Sequence, residues 1–134
     1  MGKFIKTIVL ILVAVSSYSQ TKVGELNFGG VLSVGLYDYE THFNLMYQDD
    51  QFTHIREYKS FNLLEDEKET LYELLTATKE PNATEEITLK SGDIILILYK
   101  KQYVIMSHIN KYGIKGYCRI NKKKVKKVWA KENT

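Results

Sequence analysis

The sequence predicts an α+β domain: a mostly antiparallel sheet of about six or seven strands with one main helix packed on it and a short C-terminal helix. Three observations lead to this fold class. Short segments with a two-residue apolar period flank one amphipathic helical stretch, two segments are apolar throughout, and the chain ends in a short lysine-rich amphipathic stretch. The predicted order of elements is ββ(β)αββββα.

Strands are predicted before the helix. Residues 31–37 are mostly aliphatic, and in residues 41–47 apolar and polar side chains alternate, which is the period of a strand with one packed face. Residues 48–51 form a turn by composition. Residues 52–58 then predict a weaker third strand, in which Ile55 is the only aliphatic side chain.

The main helix is predicted over residues 63–79. Asn62 can cap it, and Glu65 follows at the spacing of a capping box. Acidic side chains crowd the first turns, where the helix dipole favours negative charge. Leucines fall on one side, which we expect to lie across the sheet, and Pro81 ends the helix.

The strongest strand signals follow the helix. Residues 85–90 alternate, whereas residues 94–99 and 103–106 are apolar on both faces. Continuous apolarity rich in β-branched side chains predicts strands that are covered on both sides. We therefore expect these two segments to form a hairpin in the middle of the sheet, with a further strand over residues 114–120.

The C-terminal segment, residues 121–131, predicts a basic helix capped by Asn121. Val125, Val128 and Trp129 share one face at helical spacing, and we interpret this face as docking onto the sheet while the lysines point to water. The alternative is contact with an anionic lipid or polysaccharide. The candidate contact residues are Lys122, Lys123, Lys124, Lys126 and Lys127.

Residues 1–19 predict a cleavable export signal. Lys3 and Lys6 precede an apolar run, and Ser17 and Ser19 fit the small pockets of a signal peptidase, which places the cut before Gln20. The apolar run, residues 8–15, is shorter than the about 20 residues that span a bilayer as a helix. We predict an exported protein, periplasmic or extracellular, with residues 20–134 as a single small globular domain and no transmembrane segment after cleavage.

Cysteine content and charge distribution further limit the class of protein to which this chain can belong. Cys118 is the only cysteine, which excludes the small disulfide scaffolds common among exported domains. Residues 20–110 carry eight Lys or Arg and fifteen Asp or Glu, whereas residues 111–134 carry nine and one. Such asymmetry is typical of an interaction tail, or of two halves of one fold that attract each other. Binding of nucleic acid is not favoured, because the chain is exported and its aromatic residues do not alternate with Arg.

The sequence shows no arrangement of residues typical of a catalytic site or a metal site. The predicted pairing of residues 41–47 with 52–58 places His42 and His54 on opposite faces. If Met106 faces Cys118, His108 and Cys118 become diagonal neighbours about 7–8 Å apart at Cα, too far for a direct hydrogen bond. The acidic residues 65–69 need only a solvated helix end. We predict no catalytic residue, no metal ligand and no cofactor.

Three functional hypotheses follow. Size, export, polarised charge and nine tyrosines in the mature chain favour a small non-enzymatic domain that binds a protein partner in the cell envelope, as an inhibitor, immunity-type or accessory protein would. The second is a surface-associated module that holds anionic lipid or polysaccharide through its lysines. The third is a small hydrolase that uses His108 or Cys118. Asn82-Ala83-Thr84 also matches a glycosylation sequon, a weak three-residue pattern.

Overall fold

The computed structural model describes residues 20–131, so the predicted export signal lies outside the described residues. Within this range the chain folds into eight strands and two α-helices, which confirms the predicted α+β class. The elements are β1 (Thr21–Phe28), β2 (Val31–Asp38), β3 (Phe43–Gln48), β4 (Tyr58–Leu63), α1 (Glu65–Thr76), β5 (Thr84–Thr88), β6 (Ile94–Tyr99), β7 (Tyr103–Ile109), β8 (Lys115–Asn121), a 3-10 turn (Lys122–Lys124) and α2 (Val125–Val128).

The strands form two four-stranded antiparallel sheets, not the single sheet that was predicted. The first sheet has the order β1-β2-β3-β4 and the second the order β5-β6-β7-β8. Within each sheet, neighbouring strands are joined by short connections. The helix α1 interrupts this series between β4 and β5, so the chain starts a new sheet after it instead of extending the first.

The hydrophobic core lies between the inner faces of the two sheets and is closed by the helices. α1 contributes Leu71 and Leu75, which have no solvent exposure. Burial of each such side chain stabilises the fold by about 1.5–3 kcal/mol relative to leaving it exposed. The buried strand residues include Val34, Leu36, Leu45, Phe61, Leu63, Ile95, Ile97, Tyr99, Val104, Met106 and Ile120.

The C-terminal segment docks on the core, which confirms the interpretation of its apolar face. Val125 and Val128 are fully buried, and Trp129 is buried with its indole N–H donating to the carbonyl of Lys68 at 3.1 Å. At Gly24 of β1, a Cβ would lie 2.2 Å from the carbonyl oxygen of Lys127, so only glycine allows α2 to approach β1 this closely.

The helical part of this segment is shorter than the predicted residues 121–131. The Asn121 side chain accepts a hydrogen bond from the backbone N–H of Lys123 at 2.9 Å, which confirms it as the cap. None of the helices in residues 20–131 is long and apolar enough to cross a membrane.

The first half of the chain differs most from the prediction. β1 was missed because its apolar residues do not alternate regularly, and its pairing with β2 is interrupted twice by irregularities. The strand predicted over residues 52–58 is wrong: residues 52–57 belong to a loop, and β3 pairs with Tyr58–Leu63 instead.

The start of the helix was placed too early for a related reason. Leu63 is a buried residue of β4, and the Asn62 side chain accepts a hydrogen bond from Asn44 across the strands, so Asn62 is not the cap. α1 begins at Glu65, and the carboxylate of Glu67 accepts from the backbone N–H of Leu64 at 3.0 Å. A glutamate does accept a hydrogen bond from a free backbone N–H at the start of the helix, but this residue is Glu67 and not the predicted Glu65.

β6 and β7 have one face in the core and one face outside it. Ile95, Ile97 and Tyr99 of β6 are buried, whereas Ile94, Leu96 and Leu98 on the opposite face are half-buried and lie outside the core cluster. The prediction that both faces are covered is therefore wrong for the residues that the structure describes.

Candidate functional site

Exposed apolar side chains concentrate on two connections, the β3–β4 loop (residues 49–57) and the β7–β8 turn (residues 110–114), which we call the loop pair. Among the described residues, six large hydrophobic side chains are exposed, and four of them belong to the loop pair. They are Phe52, Ile55, Tyr112 and Ile114, with exposed fractions of 36%, 61%, 78% and 55%. Single exposed apolar residues are ordinary, but a group on adjoining loops marks an interaction surface.

The two connections adjoin because the β3–β4 loop lies along the outer edge of β8. The Gln51 side-chain amide donates to the carbonyl of Lys115 at 3.0 Å. The backbone N–H of Asp50 donates to the carbonyl of Tyr117 at 2.8 Å, and its carboxylate accepts from the N–H of Arg119 at 2.9 Å. The loop thus satisfies polar groups that an edge strand would otherwise leave unpaired.

The β3–β4 loop is also closed on itself. The backbone N–H of Asp49 donates to the carbonyl of Glu57 at 2.8 Å, which brings the two ends of the loop together. The Lys59 ammonium lies 5.0 Å from the centre of the Phe52 ring. A compact loop of this length with joined ends is an Ω-type loop, a class that often carries function.

Asp49 anchors the loop from inside. Its side chain has no solvent exposure and accepts from the ammonium of Lys59 at 2.5 Å, from the Gln51 amide at 2.5 Å and from the backbone N–H of Tyr117 at 3.3 Å. Burial by itself opposes ionisation of this carboxyl, but the hydrogen bonds from Lys59, Gln51 and Tyr117 outweigh it and hold the pKa of Asp49 below its ordinary value. Asp49 is therefore ionised at neutral pH.

Gly116 of β8 makes room for this anchor. A Cβ at that position would lie 2.5 Å from the hydroxyl oxygen of Tyr47 and 3.0 Å from a carboxylate oxygen of Asp49. Cβ atoms essentially never lie closer than 3.0 Å to a non-bonded atom, so a side chain here would displace the Tyr47 hydroxyl and crowd the Asp49 carboxylate. The close approach requires glycine.

Three further side chains form a hydrogen-bonded chain in which Tyr47 and His108 are buried and Asp93 is half-buried. The hydroxyl of Tyr47 contacts Nδ1 of His108 at 3.0 Å, and Nε2 of His108 contacts the Asp93 carboxylate at 2.7 Å. His108 is buried, and its ring also packs on Phe61 with the ring centres 4.8 Å apart. Burial, together with the negative charges of Asp49 and Asp93, raises the pKa of Tyr47 well above its ordinary value, so Tyr47 stays protonated. This chain links β3 and β7 to the start of β6.

The structure places His108 and Cys118 as predicted but does not join them. Met106 faces Cys118 and His108 faces Gly116, so the pair are diagonal neighbours on one face. Both ring nitrogens of His108 bind other residues. Burial raises the pKa of the Cys118 thiol well above its ordinary value, and the nearby carboxylates of Asp50 and Asp49 add to the shift. A protonated buried thiol is a poor nucleophile.

The other two histidines lie apart on the surface. His54 belongs to the exposed β3–β4 loop, so the opposite-face placement predicted for His42 and His54 fails together with the predicted third strand. His42 stacks on Tyr39 with the ring centres 5.3 Å apart. In the part of the chain that the structure describes, no group of three or more His, Cys, Asp or Glu side chains could hold a metal ion.

The predicted lysines lie at the other end of β8 from the loop pair. Lys123, Lys124, Lys126 and Lys127 are exposed, and Lys122 is half-buried. The ammonium of Lys124 lies 5.1 Å from the centre of the exposed ring of Phe28, the last residue of β1. Within residues 20–131, no carboxylate lies in salt-bridge range of Lys122, Lys123, Lys124 or Lys127.

Sequence reasoning missed the loop pair as a site. The available signal was the pair Phe52 and Ile55 in an otherwise polar segment, which was interpreted as a weak strand. No protein-family model matches this chain, and no curated protein or solved structure is detectably similar to it.

Proposed function

We propose that this protein is an exported, non-enzymatic domain that binds a protein partner of the cell envelope through the loop pair. The observation that carries the proposal is the concentration of exposed apolar side chains on two adjoining loops that are hydrogen-bonded to β8. Aromatic and aliphatic side chains of this kind form the centre of protein interfaces, surrounded by polar side chains.

The fixed backbone of the β3–β4 loop supports the same proposal. Its first three residues are hydrogen-bonded to β8, and Asp49 is held by the half-buried Lys59. A loop that is ordered before it meets its partner loses less conformational entropy on binding than a flexible one. The side chains of His54, Arg56 and Lys111 supply a polar surround.

The loop pair is tested by replacing Ile55 and Ile114 together with serine. The purified protein is used to capture partners from an envelope extract of its native host, at low and moderate salt. We expect wild type to retain one protein at both salts and the Ile55→Ser/Ile114→Ser variant to lose it, because truncating buried apolar residues at an interface centre costs at least about tenfold in affinity.

The matched control is Phe28→Ser, which removes an exposed large apolar side chain outside the loop pair. This variant should retain the same protein as wild type. Equal retention by the Ile55→Ser/Ile114→Ser variant, or loss only with Phe28→Ser, would count against the loop pair as the binding site.

Export is part of the proposal and is tested separately. The predicted signal over residues 1–19 places the mature N-terminus at Gln20. We expect intact-mass measurement of the protein from the periplasmic or extracellular fraction of its host to give a chain that begins at Gln20. Recovery of the uncleaved chain in the cytoplasm would contradict export.

A second candidate function is peripheral binding to an anionic lipid surface through the exposed lysines of the C-terminal segment, Lys123, Lys124, Lys126 and Lys127, which we call the lysine end. The specific observation is that these four lysines are exposed on one short segment, and that the ammonium of Lys124 lies 5.1 Å from the centre of the exposed Phe28 ring. Lysines near an anionic bilayer contribute about 1 kcal/mol each, and an exposed aromatic ring can enter the headgroup region. The rigid docking of α2 presents these lysines on a fixed frame.

Sedimentation with phospholipid vesicles tests this candidate. We expect binding to anionic vesicles and not to neutral ones, and a loss of roughly 100-fold in affinity when Lys123, Lys126 and Lys127 are replaced with glutamine. The control is a triple glutamine variant at Lys90, Lys111 and Lys115, which removes the same charge elsewhere.

The Phe28→Ser variant separates lipid from polysaccharide. It should weaken vesicle binding and leave dextran sulfate binding unchanged if the surface is lipid. An equal effect of the two triple variants on vesicle binding would rule out a specific site at the lysine end.

A further inference from the structure

The outer face of the second sheet is apolar in its two central strands. This outer sheet face comprises Ile94, Leu96 and Leu98 of β6 and Ile105, Ser107 and Ile109 of β7, all half-buried and none in the core. Strands that are apolar on both faces are ordinarily covered on both faces. Within the described chain the core covers one face only.

The register across the four strands forms a grid with three rows. The first row joins Thr84, Leu98, Ile105 and Arg119. The second row joins Glu86, Leu96, Ser107 and Tyr117. The third row joins Thr88, Ile94, Ile109 and Lys115. The β5 edge of this face is therefore acidic at Glu86, and the β8 edge is basic at Lys115 and Arg119.

This distribution is complementary to itself under a two-fold rotation. An axis parallel to the strands, between β6 and β7, places β5 of one copy over β8 of the other and β6 over β7. Leu98 then meets Ile105, Ile94 meets Ile109, and Glu86 faces Tyr117 between Lys115 and Arg119 of the second copy. A two-fold axis across the strands would instead place Glu86 on Glu86, so charge selects the first arrangement.

We propose that the outer sheet face is a dimer interface that a second copy of this chain covers by aligned sheet-on-sheet packing. Four strands about 4.8 Å apart and three rows about 6.8 Å apart give a contact on the order of 400 Å² per copy. This is smaller than a standard interface, so the dimer is weak and depends on concentration. The loop pair adjoins the interface at Lys115 and stays open in the dimer.

Sedimentation velocity of the purified protein from about 10 µM to about 1 mM tests the interface, because a contact of this size gives only weak association. We expect a monomer–dimer equilibrium for wild type and a monomer throughout for Leu96→Asp, with its fold checked by circular dichroism. A wild-type monomer at every concentration would overturn the proposal, as would a dimer that persists in Leu96→Asp.

Charge reversal tests the same interface without replacing an apolar side chain. Glu86→Arg and Arg119→Glu should each raise the dimer dissociation constant roughly tenfold, and the double variant should return it close to wild type. Within one copy the two residues are three strand spacings and one row apart, about 16 Å, so rescue can come only from contact between copies. Absence of rescue in the folded double variant would overturn the two-fold arrangement.

Discussion

Asp49 carries its negative charge in a position without solvent contact, and the hydrogen bonds that converge on it come from three parts of the fold. Lys59 lies on β4, Gln51 in the loop and Tyr117 on β8. The carboxylate therefore joins the two sheets at the point where the β3–β4 loop leaves the core. Its charge is balanced by Lys59, whose side chain is only 15% exposed to solvent.

We expect Asp49→Asn to lower the free energy of unfolding at neutral pH by about 2–3 kcal/mol. Removing one partner of a buried ion pair leaves the other uncompensated, although the remaining exposure of Lys59 keeps the loss below that of a fully buried pair. Urea denaturation measures it. The control is Asp50→Asn, whose exposed carboxylate accepts one backbone hydrogen bond and whose loss should be smaller.

The same substitution has a defined pH dependence. Hydrogen bonds from Lys59 and other donors outweigh burial and lower the pKa of folded Asp49, so its stabilisation is present above its ordinary value of 3.8 and is lost as pH falls through the folded pKa. Attraction to Asp49 likewise outweighs burial and raises the pKa of Lys59 above its ordinary value of 10.5. The stabilisation that the charged Lys59 contributes is therefore lost at high pH. The difference in the free energy of unfolding between wild type and Asp49→Asn should be largest between these limits and should shrink below pH 4. A difference that stays constant from pH 2 to 7 would contradict the assignment.

At the scale of single elements, α2 is only four residues long, and its stability comes from what it packs against. Trp129 lies against Tyr72 of α1, with the ring centres 5.8 Å apart, and bonds to the carbonyl of Lys68. The ammonium of Lys131 binds the carboxylate of Glu69 at 2.7 Å. The C-terminal segment thus holds α1 in place as well as closing the core.

We expect Trp129→Ala to lower the free energy of unfolding by about 3–5 kcal/mol, the usual loss for a buried tryptophan. Trp129→Phe should cost less because it keeps most of the apolar volume and loses mainly the hydrogen bond. Lys127→Ala, on the exposed side of the same helix, should stay within about 0.5 kcal/mol of wild type. Equal stability of Trp129→Ala and wild type in urea denaturation would contradict docking of the segment.

The elements that could be predicted from sequence are those whose periodicity is strong. β6 was placed at its observed bounds, the pairing of Met106 with Cys118 was anticipated, and the apolar face of the C-terminal segment identified its docking. β1 and β4 were missed or misplaced because their alternation is weak. The grouping of Asp49, Lys59, Tyr47, His108 and Asp93 joins residues distant in the chain, and it follows from sheet pairing that no local pattern encodes.

At the scale of the whole molecule, three surfaces are arranged around β8. The loop pair lies at its first residue, the lysine end follows its last residue, and its outer side chains border the outer sheet face. A protein partner, an anionic surface and a second copy would therefore meet the molecule at different places. Each proposal has its own test substitutions: Ile55 and Ile114 for the loop pair, Lys123, Lys126 and Lys127 for the lysine end, and Glu86, Leu96 and Arg119 for the outer sheet face.

Site-specific photocrosslinking in the native host tests whether the loop pair binds a protein partner. A benzoylphenylalanine is placed at Ile55 or Tyr112 in the loop pair, and, as controls, at Thr70 on the exposed side of α1 and at Lys123 in the lysine end. Binding through the loop pair should give one and the same protein adduct from both loop positions and none from Thr70. Adducts from Lys123 alone, or equal adducts from every position, would contradict it.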